Sequence, residues 1–301
     1  MMRQAVFGEE FVVIEIDEDK CIGCGACAAN CVAHNIEMIA YDNAEQGGDR
    51  QTSTIGDNVR KAKVLHECFL CGQCVAICPE AAPRNPYYQE ELVAYNPKTF
   101  DLPTQNVVNT VKFRRSIRNF AGQTIPHEIW HMLTVEVGGH MPTAKNTQQN
   151  RFYIIQNQLQ EFKDIVWSAL HEAYRKTSLQ AEAQHKTLPA DYQTIGRMLD
   201  NFDKGKEDYL FRNAPAVLCI ESADPLDGGL AAGAIEIAAS TVELGVLYNG
   251  YLRRAIEMLP QACTFLDREV GKPLAACMLV GYPDVVFERT APRRRPSVIL
   301  R

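Results

Sequence analysis

The chain has 301 residues, of which 46% are hydrophobic, and its formal net charge is −6 at pH 7. That length suits one large domain or two ordinary domains, each with its own hydrophobic core. The acidic balance disfavours nucleic acid as a main partner, since the one short basic run is residues 293–295. Because we find neither the apolar core of a signal peptide nor an apolar stretch long enough to span a bilayer, we expect a cytoplasmic protein without a membrane contact.

The N-terminal third is predicted to contain one strand and two polar connections. Residues 11–17 are rich in β-branched side chains, which favours a strand. Residues 42–60 are polar and contain glycine, which predicts a loop. The proline-containing stretch 81–103 is predicted to leave this part of the chain as a connector.

The remainder of the chain is predicted to mix helices and buried strands. Apolar residues recur at helical spacing over residues 161–176, and residues 229–247 are rich in alanine, so both segments are predicted to be helical. Short apolar runs over residues 215–220 and 275–280 predict buried strands. The sequence therefore indicates an α+β protein.

Eight of the 11 cysteines lie before residue 79, in two runs with the spacing C-x2-C-x2-C-x3-C. This is the spacing of bacterial ferredoxins, in which three thiolates surround one [4Fe–4S] cluster and the fourth cysteine binds the other cluster. One predicted cluster therefore takes Cys21, Cys24, Cys27 and Cys78, and the second takes Cys68, Cys71, Cys74 and Cys31.

Structural zinc and disulfides are the alternatives for these cysteines. Zinc sites usually pair two C-x2-C knuckles, and disulfides are rare where thiols stay reduced, so both fit less well than clusters. Val32 departs from the motif, which usually has proline after the fourth cysteine, whereas Pro79 keeps it. The other cysteines, Cys219, Cys263 and Cys277, have apolar neighbours and are predicted to be core thiols.

Four dispersed segments carry the remaining motifs. Residues 113–118 have the sequence Phe-Arg-Arg-Ser-Ile-Arg, which suits an anion, and residues 141–148 contain Pro-Thr-Ala-Lys-Asn-Thr-Gln. Residues 227–251 combine a small-residue helix with a Leu-Gly-containing loop, and residues 280–296 contain Gly-Tyr-Pro followed by Pro-Arg-Arg-Arg-Pro. In this order the four segments resemble the nitroreductase family of FMN flavoproteins.

The resemblance implies a set of FMN-binding residues. The phosphate, ribityl chain and pyrimidine edge would be held by Arg114, Arg115, Ser116 and Arg118, and the phosphate site would be completed by Arg294 and Arg295. The implied flavin-ring contacts are Thr143, Asn146 and Gln148, which act in the site of the second protomer, together with Asn249, Gly250 and Tyr251. The family's Pro-Trp after the glutamine is replaced here by Gln149 and Asn150.

The resemblance also implies the domain organisation and the assembly. We expect a two-cluster ferredoxin-like domain over residues 1–95, a connector over 96–106, and a nitroreductase-like α+β domain over 107–301, in which helices flank a central sheet. The family forms an intertwined homodimer with both flavins at the interface, and we expect the same here.

The predicted function is that of an FMN-dependent oxidoreductase. Two [4Fe–4S] clusters would pass single electrons to FMN, which would reduce a small electrophile of the nitroaromatic, quinone or enone class. No G-x-G-x-x-G follows a strand, so a separate Rossmann domain is not expected, although family members can take hydride from NAD(P)H at the flavin face without one. The clusters indicate instead a one-electron donor such as reduced ferredoxin. The candidate proton sources are His127, His140 and Tyr248, and residues 160–210 are expected to cover the pocket.

Two other functions remain open at the level of the sequence. The protein could be an electron-transfer flavoprotein that passes electrons to a protein partner, which an open and shallow flavin face would favour. It could also be a redox sensor that responds to cluster loss, although the sequence contains no DNA-binding motif to support this.

Overall fold

The computed structural model describes residues 13–40, 60–88 and 90–301. The chain divides into two compact units, Met1–Pro97 and Lys98–Arg301. The predicted loop over residues 42–60 lies outside the described residues except for Arg60, which begins a strand. The predicted strand over 11–17 begins outside them as well, and its described part forms regular structure only at Glu15–Ile16.

The first unit is built from two similar halves, each with a strand, a cysteine run, a short helix and a second strand. The elements are β1 (Glu15–Ile16), α1 (Ala26–Ala29), β2 (Ile36–Ala40), β3 (Arg60–Val64), α2 (Gln73–Ile77) and β4 (Pro83–Arg84). The halves are interlocked, because β1 pairs antiparallel with β4 and β2 pairs antiparallel with β3. This pairing brings the start of one cysteine run close to the end of the other.

The second unit contains a four-stranded antiparallel sheet in the order β5-β6-β8-β7. Its strands are β5 (Arg151–Ile155), β6 (Ala216–Glu221), β7 (Gly245–Tyr248) and β8 (Ala276–Gly281). Its helices are α4 (Thr104–Phe113), α5 (His127–His131), α6 (Leu159–Ala183), α7 (Ala190–Asp203), α8 (Pro225–Thr241), α9 (Gly250–Met258) and α10 (Pro260–Phe265), after α3 (Pro97–Phe100) at the boundary of the units. A π-helix over Met132–Val137 and two 3₁₀ turns, Gly138–His140 and Ala144–Asn146, complete it.

Two hydrophobic cores lie on opposite faces of the central strands. Val217 and Cys219 of β6 belong to the core formed with α6, α9 and α10, whereas Leu218 and Ile220 belong to the core formed with α5 and α8. Because side chains alternate along a strand, β6 and β8 are buried on both faces. The predicted α+β domain with helices flanking a central sheet is therefore confirmed, as are the predicted buried thiols of Cys219, Cys263 and Cys277.

The predicted helix over residues 229–247 is wrong at its C-terminal end. The helix α8 ends at Thr241, Glu243 has a left-handed backbone (φ 62°), and Gly245 begins strand β7, which pairs with β8. A Cβ on Gly245 would lie 2.3 Å from Ile117 Cγ1, so close packing requires glycine here. Pairing with a distant strand overrides the local helical preference.

Residues 160–210 are helical as expected, but two of their aromatic side chains do not cover a pocket. Phe162 is fully buried in the core, and Trp167 is also buried and stacks on Phe202 with a centroid distance of 4.1 Å. These rings stabilise the packing of α6 and α7 against the unit. In the part of the chain that the structure describes, no helix is both long and apolar enough to cross a membrane.

Replacing Phe162 by alanine should lower the free energy of unfolding of the second unit by about 3–5 kcal/mol, because a buried aromatic ring leaves a cavity. Both tryptophans, Trp130 and Trp167, lie in this unit, so their fluorescence during urea titration reports its unfolding. The control is Leu179→Ala on the same helix, where the side chain is 57% exposed and the change should stay within about 0.5 kcal/mol. Equal losses in the two variants would contradict the placement of Phe162.

Candidate functional sites

Two cavities in the first unit are each lined by four cysteines drawn from both runs. One is lined by Cys21, Cys24, Cys27 and Cys78, and the other by Cys31, Cys68, Cys71 and Cys74. The structure therefore brings together the two sets of side chains that the spacing predicts as cluster ligands. Among the described residues, no three potential ligands converge on a point where a single metal ion could sit.

Both short helices begin at a glycine within the cysteine runs. Gly25 precedes α1 and Gly72 precedes α2, and both have left-handed backbones, with φ of 75° and 76°. Glycine adopts this conformation without the steric cost that a Cβ adds. It lets the third cysteine of each run, Cys27 or Cys74, project from the first turn of its helix into the cavity.

Backbone N–H groups point at the sulfurs of both cavities. Asn35 donates to Cys31 Sγ at 3.2 Å and Ala82 donates to Cys78 Sγ at 3.4 Å, each from four residues further along the chain. Leu70 also donates to Cys68 Sγ at 3.3 Å. Such bonds stabilise negative charge on thiolates and help to set the reduction potential of a cluster.

The walls of these cavities are otherwise mainly apolar, with Ile16 and Met38 in one and Ile14 and Ile36 in the other. Burial raises the pKa of the Cys74 thiol to about 11 and also raises the pKa of Cys27. A bound metal deprotonates a coordinating thiol outright, so cluster binding would release these protons. The donor set of four sulfurs in an apolar shell fits a [4Fe–4S] cluster.

Val32 does not disturb the turn that follows the first run. The residue three positions beyond the last cysteine has a left-handed backbone in both runs, with φ of 51° at His34 and 48° at Ala81. Val32 is 64% exposed, so no buried contact depends on the missing proline.

A cavity of about 420 Å³ lies in the second unit, where strand β7 turns into helix α9. Its lining includes four of the predicted flavin residues, Arg118, Asn249, Gly250 and Tyr251. Three further arginines line it, and these were not predicted: Arg212, Arg253 and Arg254. The structure thus brings the first and third predicted segments together in one basic cavity, which we call the arginine cavity.

Asn249 lines the arginine cavity, but its side-chain amide is already engaged within the chain. Its Oδ1 accepts from the N–H of Leu252 at 2.9 Å, which caps helix α9, and its Nδ2 donates to the carbonyl of Leu210 at 2.6 Å. The amide therefore fixes the turn that forms the cavity wall instead of offering free hydrogen bonds to a ligand.

The segment with Arg114, Ser116 and Arg118 is held against strand β7. Ser116 forms a bridge with Val246, and the N–H of Ile117 donates to the carbonyl of Val246 at 3.0 Å. Of the predicted phosphate residues in this segment, Arg118 lines the cavity, while Arg115 and Ser116 are half-buried beside it in the chain.

Arg114 pairs instead with a buried carboxylate. Its Nη1 lies 2.8 Å from Glu236 Oε1 on helix α8, and Glu236 is only 8% exposed. Glu236 also forms a hydrogen bond with the hydroxyl of Tyr248. Within this chain the guanidinium of Arg114 therefore neutralises Glu236, and its role at the FMN phosphate stays a prediction.

Tyr248 is a poor candidate for a proton source. Burial raises the pKa of its hydroxyl strongly, and the charge of Glu236 raises it further, against an opposing contribution from Arg114. The other candidates, His127 and His140, lie outside the residues that line the arginine cavity. Of the three predicted proton sources, Tyr248 alone belongs to the described lining of this cavity, and its raised pKa makes its hydroxyl a weaker acid.

Thr143, Asn146 and Gln148 lie together in one strained turn. The N–H of Gln148 donates to Thr143 Oγ1 at 3.0 Å, and Gln148 Nε2 donates to Asn146 Oδ1 at 3.1 Å. Lys145, Asn146 and Gln148 all have left-handed backbones, which is costly without glycine and concentrates at functional sites. Asp227 anchors the turn by accepting from the N–H of Ala144 at 3.0 Å.

The structure does not bring every predicted residue to the arginine cavity. Thr143, Asn146 and Gln148 are not part of its lining, and neither are Arg294 and Arg295, which are exposed in a C-terminal segment without regular structure. Within one chain, the predicted flavin residues therefore occupy three separate places.

Comparisons with known proteins agree with this architecture. Residues 111–282 match the nitroreductase family, and residues 20–82 match the 4Fe-4S dicluster domain. The chain belongs to the nitroreductase family. The predicted family and enzyme class, an oxidoreductase of nitroreductase type that depends on FMN and iron–sulfur, are confirmed by these matches.

Individual proteins are similar to parts of this nitroreductase. Ferredoxin-3 of Rhodobacter capsulatus is 31% identical over 74 residues, which are 22% of this chain and 73% of that protein. A nitroreductase with bound FMN from Bacteroides fragilis is 16% identical, with a TM-score of 0.49 over 66% of this chain and 100% of the other. An FMN-dependent nitroreductase from Clostridium difficile is 20% identical, with a TM-score of 0.45 over the same shares.

Sequence reasoning missed several residues of this nitroreductase. Arg253 and Arg254 follow Tyr251 and Leu252 directly, so a basic pair one turn into a helix beside predicted flavin residues was an available signal. Arg212 gave no such signal, because it joins the cavity only through the tertiary fold.

Exchanging cysteines in pairs tests whether each cavity holds one cluster with ligands from both runs. The double variant Cys21→Ala with Cys78→Ala removes two ligands from one cavity, so anaerobically purified protein should retain about half of the iron. The matched variant Cys68→Ala with Cys78→Ala removes one ligand from each cavity, so most of the iron should be lost. The reverse order of iron contents would show that each run binds its own cluster.

Ultraviolet titration of tyrosinate tests the environment of Tyr248. Because the folded chain holds this proton more tightly than the unfolded chain, the associated stability is complete below pH 10 and is lost as the pH rises through the raised pKa. At pH 10 the variant Tyr248→Phe should therefore give the same tyrosinate absorbance as the unchanged protein. In Glu236→Gln, Tyr248 should ionise at a lower pH, and an unchanged titration would argue against the Glu236 contact.

Proposed function

We propose that this nitroreductase takes single electrons through two [4Fe–4S] clusters and uses FMN to reduce a small electrophile of the nitroaromatic, quinone or enone class. The observation that carries the proposal is the presence, in one chain, of two four-cysteine cavities and a basic cavity formed by family motif segments. Bound clusters carry one electron at a time, whereas flavin accepts electrons singly and releases them in pairs.

The first unit would hold the clusters through thiolates that the backbone already orients. The N–H groups of Asn35 and Ala82 donate to the fourth cysteine of each run, so both cavities offer the same hydrogen bond to the same position. The thiolates that these clusters need persist in a reducing compartment, which we propose is the cytoplasm.

The second unit would hold FMN through the arginine cavity. Arg118 lies in its lining, and Arg115 and Ser116 lie three and two residues before it on the segment that is fixed to Val246. Guanidinium groups bind phosphate through paired charged hydrogen bonds. Arg114 contributes indirectly, because its pair with Glu236 positions both the segment and Tyr248.

The strained turn of Thr143, Asn146 and Gln148 supports a homodimer. These residues do not line the arginine cavity of their own chain, and neither do Arg294 and Arg295. We propose that the turn reaches the flavin of a second protomer, which would explain why a segment that carries strain lies away from the cavity.

A small-molecule substrate is favoured over a protein acceptor by the match to the nitroreductase family. The arginine cavity, with a volume of about 420 Å³, would itself be occupied by FMN. Transfer to a protein partner would instead need only an accessible flavin edge.

Steady-state reduction of a nitroaromatic compound under anaerobic conditions tests the relay. With reduced ferredoxin as the donor, the double variant Cys68→Ala with Cys78→Ala should lose at least about tenfold in kcat, because both predicted clusters are removed. With dithionite as the donor, which reduces flavin directly, the same variant should retain activity if its flavin content is unchanged. Equal ferredoxin-driven rates in the two proteins would end the relay proposal and leave the nitroreductase activity standing.

A further inference from the structure

More guanidinium groups line the arginine cavity than the predicted phosphate-binding segment supplies. Arg118, Arg212, Arg253 and Arg254 all line it, and its described lining contains no acidic side chain. A phosphate monoester carries a charge of about −1.5 to −2 at pH 7. Only Arg118 belongs to the phosphate-binding segment, so three guanidinium groups are left over.

Each of these three arginines has a nearby acidic residue that does not line the cavity. Arg212 Nη1 lies 2.8 Å from Glu207 Oε1, Arg254 Nη1 lies 3.3 Å from Asp191 Oδ2, and Arg253 Nε lies 3.9 Å from Glu257 Oε1. A close pair fixes a guanidinium before a ligand arrives, which lowers the entropy cost of binding.

The arginine–carboxylate pairs differ in how strongly they restrict the guanidinium group. Arg212 is largely buried and its guanidinium lies 5.2 Å from the ring centroid of Tyr209. Arg254 and Asp191 are both well exposed, and exposed pairs contribute little, so a ligand anion can replace Asp191. Arg212 is therefore a fixed cation, and Arg254 is an adaptable one.

Aromatic side chains share the cavity with these cations. Tyr209, Tyr248 and Tyr251 line it, which gives a planar ligand flat apolar surface next to guanidinium groups. Planar guanidinium groups match carboxylate and phosphate oxygens in pairs.

We infer that the substrate is a planar electrophile that carries its own carboxylate or phosphate group, which Arg212 and Arg254 bind. The inference rests on the proposed reductase function and narrows its substrate class. The FMN phosphate and the substrate anion would then share one basic cavity, with Arg118 on the flavin side.

Two nitro compounds of similar electron demand test this, 4-nitrobenzoate and the neutral 4-nitrobenzyl alcohol, with dithionite as the electron donor. Dithionite also reduces nitro groups without a catalyst, so each rate is taken as the difference from the same reaction without protein. An electron pair and two protons from water convert the nitro group into a nitroso group and water. The ratio of kcat/KM for the anion to that for the alcohol should be about tenfold or more, and it should fall as salt is raised.

Arg254→Gln and Arg212→Gln should each reduce this ratio by about tenfold, whereas Arg175→Gln, an exposed arginine of α6 outside the cavity, should leave it unchanged. Calorimetric binding of benzoate to the oxidised protein gives a readout that does not need turnover, and it should weaken in the same two variants. Flavin absorbance of each purified variant shows whether FMN is retained.

The outcomes distinguish a failure of the proposed reductase function from a failure of the inferred anionic substrate class. If neither nitro compound is reduced, the proposed function fails. If both are reduced with a ratio near one, or if the ratio and benzoate binding do not respond to Arg254→Gln and Arg212→Gln, the anionic substrate class is wrong and the reductase function stands.

Discussion

The pairing of β6 with β8, two strands buried on both faces, determines where the flavin-site candidates of the second unit lie. Strand β7 adds to the free side of β8 and carries Tyr248 to the edge of the arginine cavity. The N–H of Asn249 donates to the carbonyl of Cys277 on β8 at 2.8 Å, so the turn into α9 is tied to the sheet. The segment before Arg118 is then fixed on β7 through Val246. Each step depends on the one before it, because an unpaired strand or segment in this core would leave backbone groups without hydrogen bonds.

In the first unit the candidate ligands are close together in the sequence, and its site was largely predictable for that reason. Three ligands of each cavity come from one short run, where spacing alone determines which side chains can face a common point. The fourth ligand of each cavity comes from the other cysteine run, and the repeat of the motif specifies which cysteine it is. β1 pairs with β4 and β2 pairs with β3, so the two halves of the repeat are interlocked and each run supplies one cysteine to the cavity of the other. The repeat itself therefore accounts for the ligand sets.

The second unit shows where sequence reasoning stops. Strands β6 and β8 and the helix α6 were predicted, because apolar runs and helical spacing are local signals, whereas strand β5 was not. Strand β7 was missed, since its partner β8 is distant in the chain and the preceding alanine-rich helix masks its start. The pair of Arg114 with Glu236 was missed for a similar reason: an arginine next to a serine is equally suited to a phosphate and to a buried carboxylate. Only the fold shows that the carboxylate is 2.8 Å away.

The charges of the arginine cavity also constrain its chemistry. Guanidinium groups keep their protons at any physiological pH, so the arginines can bind an anion but cannot supply a proton. The pKa of Tyr248 is raised by burial and Glu236, and that of Tyr209 is raised chiefly by its hydrogen bond to Glu207. Both hydroxyls therefore hold their protons firmly. His127 and His140 lie outside the lining, so no imidazole belongs to the described lining of this cavity. In the proposal made above, the chain holds a negatively charged ligand in position beside the flavin, and the arginines that line this cavity are the feature that suits it to this role.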